Sequence, residues 1–207
     1  HIKDLREAYL GYLTAGLNAM NIVSKLIRKK FSDLGNVDAV LDFASGYGRL
    51  SRFLVLEIEP NKVWVSDIKE NSVSFQKEQF KVNGVCSTYI PEEFKPGLKF
   101  DFIYVGSLFS HLPQELFDKW FKVLFDLITE KGVLAFTVHD ISLSDAGPAP
   151  EIQYYERNED LLFPEVTDGI RDNTKYGITF VSENYITKLL NSSGITNQQY
   201  FRYPKAL

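Results

Sequence analysis

The stretch Val40-Leu41-Asp42-Phe43-Ala44-Ser45-Gly46-Tyr47-Gly48-Arg49 runs from an apolar segment, through a loop with two glycines, into an amphipathic segment. Glycines in such a loop let the backbone bend sharply and approach a ligand with no Cβ in the way. Asp67 closes the next apolar run (Lys62-Val63-Trp64-Val65-Ser66-Asp67), about 20 residues further on. A carboxylate at that place can accept both hydrogen bonds of a ribose diol. Gly-x-Gly alone reads equally well as an ordinary tight turn. The strand before it, the helix after it and the acid at the next strand end together point to an adenosine-type ligand.

The charges narrow the ligand. Gly46-x-Gly48-x-x-Ser51 is one glycine short of the dinucleotide fingerprint, so a nicotinamide-dependent oxidoreductase is one reading. Asp42 argues against it, because a pyrophosphate at a helix N-terminus wants positive potential. S-adenosylmethionine carries an ammonium and a sulfonium instead, which a nearby carboxylate favours. Two histidines complete the inventory. His111 and His139 stand just past the ends of two later apolar runs. An imidazole suits proton removal near neutrality, and it serves equally as a loop residue bonded to backbone. Tyr154, Tyr155, Glu156 and Arg157 are either the roof of an acceptor pocket or packing plus a solvated charge cluster.

The elements that must position these residues follow from periodicity. The first 35 residues read as an amphipathic helix with Leu10, Leu13, Leu17 and Met20 on one stripe, and Gly11 and Gly16 weaken its continuity. Apolar strands are expected at Val37–Phe43, Lys62–Asp67, Val85–Ile90, Phe100–Val105 and Val133–His139. Helices are expected at Arg49–Glu57, Glu70–Val82, Pro113–Thr129 and Ser182–Leu190, with Trp120, Phe121, Leu124 and Phe125 in the core and Trp64 as strand packing. Alternation of this kind predicts an α/β fold: a doubly wound, mostly parallel sheet with helices on both faces. From Asp140 to Tyr176 the rhythm breaks at Pro148, Pro150 and Pro164, and a stretch of that length inside a domain is usually a lid or binding loop. A last extended run is expected from Ile195 to Tyr203.

Composition excludes several classes. At 207 residues, 44% hydrophobic and 24% charged, the chain is globular. A net charge of −4 argues against nucleic acid as the main partner, and Arg28-Lys29-Lys30 reads as the cationic end of a helix. One cysteine permits neither an internal disulfide nor a cysteine-based zinc site, and no metal is expected. No apolar run approaches a membrane span, so no membrane association and a cytoplasmic location are expected. The absence of an initiating Met suggests a piece of a longer polypeptide.

These motifs resemble the class I S-adenosylmethionine-dependent methyltransferases. Their first motif, acid-x-Gly-x-Gly-x-Gly, is matched at Asp42 to Gly48 with Ala44 in place of the first glycine. Asp67 matches the family's ribose-binding acid, Phe100–Ser107 the fourth-strand motif and Gly132–Thr137 the fifth strand. Ser107-Leu108-Phe109-Ser110-His111-Leu112-Pro113 is similar to a bacterial subgroup, some of whose members lie beside glycosyltransferase domains. The resemblance implies one methyltransferase domain over 1–207. Its parts are an N-terminal helical segment (1–35), a cofactor-binding core (37–140), an inserted lid or substrate segment (141–176), and a terminal helix and strand (177–207). The last strands are expected to be antiparallel, with the final one incomplete. The implied cofactor is S-adenosylmethionine, contacted by Asp42, Ala44, Ser45, Gly46, Gly48, Asp67, Ile68, Gly106 and Ser107. His111 and His139 are the candidate catalytic groups, and the acceptor is an oxygen or nitrogen of a small molecule or saccharide. The alternative to an enzyme is a non-catalytic interaction module of the same fold.

Overall fold

The computed structural model describes residues 2–144, 150–156, 176–194 and 200–204. Five strands form one parallel sheet: β1 (Val40–Phe43), β2 (Val63–Asp67), β3 (Asn83–Cys86), β4 (Phe100–Val105) and β5 (Ile128–Phe136), in the order β3-β2-β1-β4-β5. β1 is central, with Asp42 opposite Val65 on one side and Tyr104 on the other. Strand order reverses between β1 and β4, and in open sheets the crevice outside that reversal is where ligands bind.

Alternation along the strands divides the core. Leu41 and Phe43 face one cluster, which helices α4 (Gln114–Asp126) and α5 (Glu183–Ser192) cover with Phe117, Trp120, Phe121, Leu124, Tyr185 and Leu189. Val40, Val63, Val65 and Phe102 face the other, covered by α1 (Ile2–Phe31), α2 (Ser51–Leu54) and α3 (Glu70–Phe80). Asp42 alternates onto this second face, among apolar neighbours. α5 starts where expected, its first turn capped by the Ser182 hydroxyl, which accepts from the Tyr185 N–H at 3.0 Å.

α1 is unbroken through Gly11 and Gly16, and its buried stripe differs from the expected one. Leu10 and Leu17 are 56% and 48% exposed, whereas Ala19, Met20, Val23 and Ile27 are buried. Only the second half of the helix lies on the sheet, and Gly16 marks where contact begins. A Cβ at Gly16 would come within 2.3 Å of the Arg49 carbonyl oxygen and 2.6 Å of the Phe53 ring, while one at Gly11 meets nothing within 4 Å. Gly16→Ala should therefore lower stability by about 2 kcal/mol through forced displacement of backbone. Gly11→Ala should raise it by up to about 1 kcal/mol through helix propensity. Thermal unfolding of the pair checks the contrast.

Other boundaries shift. Regular α2 is one turn rather than the expected Arg49–Glu57, because Phe53, Leu56 and Glu57 bond three residues back and tighten the chain ahead of Pro60. β3 lies at Asn83–Cys86 instead of Val85–Ile90, drawn into register by Trp64 and Asp67 of β2. β5 begins early, at Ile128 beside Phe100, with an irregularity before Val133 meets Phe102. His139 leaves β5 and joins a second sheet of β6 (His139–Asp140), β7 (Ile152–Glu156) and β8 (Gly177–Val181), ordered β6-β8-β7. The antiparallel pair is thus β7, from the expected inserted segment, with β8, from the start of the terminal segment. Pro148, Arg157, Pro164 and Ile195 lie outside the described residues. Residues 200–203 form no strand; Arg202 instead bonds Glu183 at 2.9 Å and pairs with Asp140. Among the described residues no helix is long and apolar enough to cross a membrane, and no three His, Cys, Asp or Glu side chains cluster as metal ligands would.

Candidate functional site

The loop after β1 and the loop after β4 meet at the carboxyl edge of the sheet, under α1. They enclose a cavity of about 210 Å³ whose lining includes Asp42, Ala44, Ser45, Arg49, Tyr104 and Ser107, with Ala15, Asn18 and Ala19 from the helix. Gly106 also lines it. Of the residues expected at a cofactor, Asp42, Ala44, Ser45, Gly106 and Ser107 line this cavity, whereas Gly46, Gly48, Asp67 and Ile68 do not.

Gly46 and Asp67 are nonetheless joined directly. The Gly46 N–H donates to Asp67 Oδ2 at 2.8 Å, and the Lys69 N–H donates to Oδ1 at 3.0 Å. The bend after β1 and the acid at the end of β2 are therefore held together by a direct hydrogen bond. Each carboxylate oxygen has two lone-pair sites, so one on each remains for a further donor. Gly46 sits at φ +54 and Gly48 at φ +76. A Cβ at Gly46 would meet nothing within 4 Å, but one at Gly48 would meet Phe80 at 2.5 Å and Gln76 at 2.8 Å. Gly48 thus serves close packing against α3, while Gly46 faces open space. Ala44 and Ser107 also adopt positive φ, 56 and 64. For a residue with a Cβ this costs about 1–2 kcal/mol, and such strain concentrates where backbone must present itself to a ligand. Ala44 stands where the family motif has glycine, so it pays a steric penalty there that glycine would avoid.

Asp42 is 3% exposed and accepts from the Ser51 hydroxyl at 2.7 Å. Burial pushes its carboxyl up to about 7, against the opposing pull of the Ser51 bond and of Arg49. Tyr104, on the same lining, is pushed up to about 12 by burial and by the neighbouring Asp42. The cavity thus holds a carboxylate that gains from any cation brought to it, and the Arg49 guanidinium provides the complementary anion partner.

Three contributions escaped the sequence. Asn18 and its small neighbours Ala15 and Ala19 reach the cavity only because Gly16 admits the helix; a glycine inside an apolar helical pattern is the signal for such an approach. Gln76 is fully buried, and its Nε2 donates to the Gly46 carbonyl and to Ser45 Oγ, both at 2.8 Å, bracing the loop from below. Its spacing from Val73 and Phe80, on the inward face of α3, could have shown it. Arg49 was visible only as the end of the motif.

The two histidines do come together, with ring centroids 6.3 Å apart and planes at 85°. His111 Nδ1 lies 2.8 Å from the Gly177 carbonyl oxygen. A carbonyl only accepts, so this nitrogen carries a proton. His139 Nδ1 is buried with no hydrogen-bond partner among the described residues. Asp140 does not orient His139: it accepts from Ser142 N–H at 2.9 Å and pairs with Arg202. Ser107 ties both histidines to the cavity. Its N–H donates to Thr137 Oγ1 at 2.8 Å, two residues before His139, and its carbonyl accepts from Ser110 Oγ at 2.8 Å, one residue before His111.

A doubly wound sheet with a glycine loop, a buried acid under it and a second acid joined to it defines a nucleoside-binding α/β enzyme site. Residues 19–200 match a family described as methyltransferase domain, and the chain belongs to that family, with the fold of the class I S-adenosylmethionine-dependent methyltransferases. No curated protein matches the chain. Solved structures share the fold at low identity. DesVI of Streptomyces venezuelae is 12% identical, with TM-score 0.59, over 94% of this chain and 90% of that one. The 1,6-didemethyltoxoflavin-N1-methyltransferase of Burkholderia thailandensis, solved with bound 1,6-didemethyltoxoflavin and S-adenosylhomocysteine, is 14% identical, with TM-score 0.57, over 91% and 75%. An S-adenosylmethionine-dependent methyltransferase of Clostridium acetobutylicum is 21% identical, with TM-score 0.52, over 88% and 92%.

Proposed function

We propose that the chain transfers the methyl group of S-adenosylmethionine to an oxygen or nitrogen of a small-molecule or saccharide acceptor. The observation that carries this reading is the cavity holding both Asp42 and Arg49 beside the loop bonded to Asp67. An amino-acid zwitterion needs one partner of each sign, and the adenosine end needs a diol-accepting carboxylate. Asp42 and Arg49 take the tail, Asp67 the ribose, and Ala44, Ser45, Gly106 and Ser107 present backbone to the ligand. The cofactor supplies a carbon activated by positive sulfur. The chain's task is to align the acceptor and keep water out. When the acceptor is a hydroxyl, His111, oriented by the Gly177 carbonyl, and His139 beside it are the groups nearest to hand to take its proton.

The interaction-module alternative requires the loop to be filled by neighbouring side chains, and the open space at Gly46 weighs against it. The nicotinamide alternative gives way to the methyltransferase family. Isothermal calorimetry with S-adenosylmethionine and S-adenosylhomocysteine tests the reading. Micromolar binding of both is expected, and no heat with either would sink it.

A further inference from the structure

The second sheet carries a feature that methyl transfer itself does not require. Its register places His139 and Gln153 on either side of Phe180, so the three side chains project from one face. Five rings run in unbroken contact along that face. Tyr176 stacks on His111 at 4.6 Å, His111 meets His139 at 6.3 Å, His139 meets Phe180 at 5.4 Å, and Phe180 meets Tyr155 at 6.0 Å. The tyrosines at the two ends are 39% and 41% exposed. Two polar atoms on this ribbon, His139 Nδ1 and Gln153 Oε1, are buried with no hydrogen-bond partner among the described residues. Buried unpartnered atoms are rare and costly, and a cluster of them calls for an explanation.

Resting on the methyl-transfer reading, we propose that this ribbon is the acceptor subsite and that it takes an uncharged, puckered ring bearing hydroxyl or amino groups, a sugar-type ring. Three properties select that chemistry. Gln153 Oε1 accepts only, so the ligand must bring an O–H or N–H donor to it. The ribbon's residues include neither Lys nor Arg, so it holds no permanent cation to select a phosphate or carboxylate. Its planes turn by 85°, 40° and 86° from ring to ring after the first stacked pair. A flat aromatic ligand finds no flat slot there, whereas a saturated ring can set C–H groups on successive ring faces while its rim hydroxyls reach the polar atoms. The terminal torsions of Gln153 and His139 are soft, so presenting either atom to a ligand needs a side-chain turn and no backbone movement.

The test uses the full chain saturated with S-adenosylhomocysteine, and methyl glucoside, methyl glucosaminide and catechol as probes in ligand-observed saturation-transfer NMR. Millimolar binding of the glycosides is expected, with catechol at least fivefold weaker. Tyr155→Ser and Gln153→Leu should each weaken glycoside binding at least fivefold and leave S-adenosylhomocysteine affinity within twofold. Gln153→Leu should also raise Tm by about 2–4 °C, since it removes an unpartnered buried acceptor. Glycosides that do not bind, that bind both variants as well as the parent, or that yield to catechol would overturn the subsite while leaving methyl transfer standing. Failure of the parent to bind S-adenosylhomocysteine would remove methyl transfer and the acceptor role together.

Discussion

Asp67→Ala is expected to weaken S-adenosylmethionine binding by about 10²–10⁴-fold. Two hydrogen bonds to a charged acceptor are each worth about 1.5–3 kcal/mol, and the alanine removes both. It also strips the partner from two backbone donors, Gly46 N–H at 2.8 Å and Lys69 N–H at 3.0 Å. The loop then loses its anchor to β2 as well as the contact to the ribose that the proposed function assigns to Asp67. Asp67→Asn separates the two roles: its one amide oxygen can still accept from Gly46, so it should keep much of the stability and lose about tenfold in affinity. Calorimetric titration of parent and variants, with thermal unfolding alongside, checks both. Unchanged affinity in the alanine variant would place the nucleoside elsewhere.

Asp42→Asn should have opposite effects on stability and binding, both governed by pH. The buried Asp42 carboxyl titrates at about 7 in the fold, against 3.8 as its ordinary value. Its folded value is raised, so the fold favours the protonated form. Stability tied to this group is fully present below the ordinary value and is lost as pH rises through about 7. Asparagine cannot ionise and escapes that loss. The variant should therefore melt higher than the parent at pH 8, by about 5 °C, with the gap closing as pH falls toward 5. Cofactor binding should run the other way. The cationic tail selects the ionised carboxylate, so parent affinity should rise with pH up to about 7 and level off above it. The variant should be flat with pH and about 10–100-fold weaker at pH 8. Melting curves and titrations at pH 5.5, 7 and 8 measure both trends. A parent whose affinity ignores pH across that range would remove Asp42 from the cofactor's tail.

The chain order of elements and the parallel sheet were legible because continuous apolar runs such as Val40–Phe43 and Phe100–Val105 can be buried on both faces only in such a sheet. The Gly46 bend and Asp67 were legible for a local reason as well: a turn needing positive φ and an acid at a strand end are properties of short segments. The ends of elements were not. β3 follows its pairing with β2 and not its own apolar peak at Val85–Ile90, and α2 shortens ahead of Pro60.

What the linear sequence determined by itself is the α/β class, an acid at Asp42 on the central strand and a glycine loop followed by Asp67 at the next strand end, since each is read from short segments of the chain. Only the tertiary structure decided that α1 closes the cavity through Gly16, that Gln76 braces the loop, that Arg49 shares the cavity with Asp42, and that His111 and His139 meet on a ribbon of rings built partly from β7 and β8. Except for Arg49, which lies on the loop just after the strand of Asp42, those contacts join segments far apart in sequence, and their energies come from burial and close approach, which depend on how the elements pack.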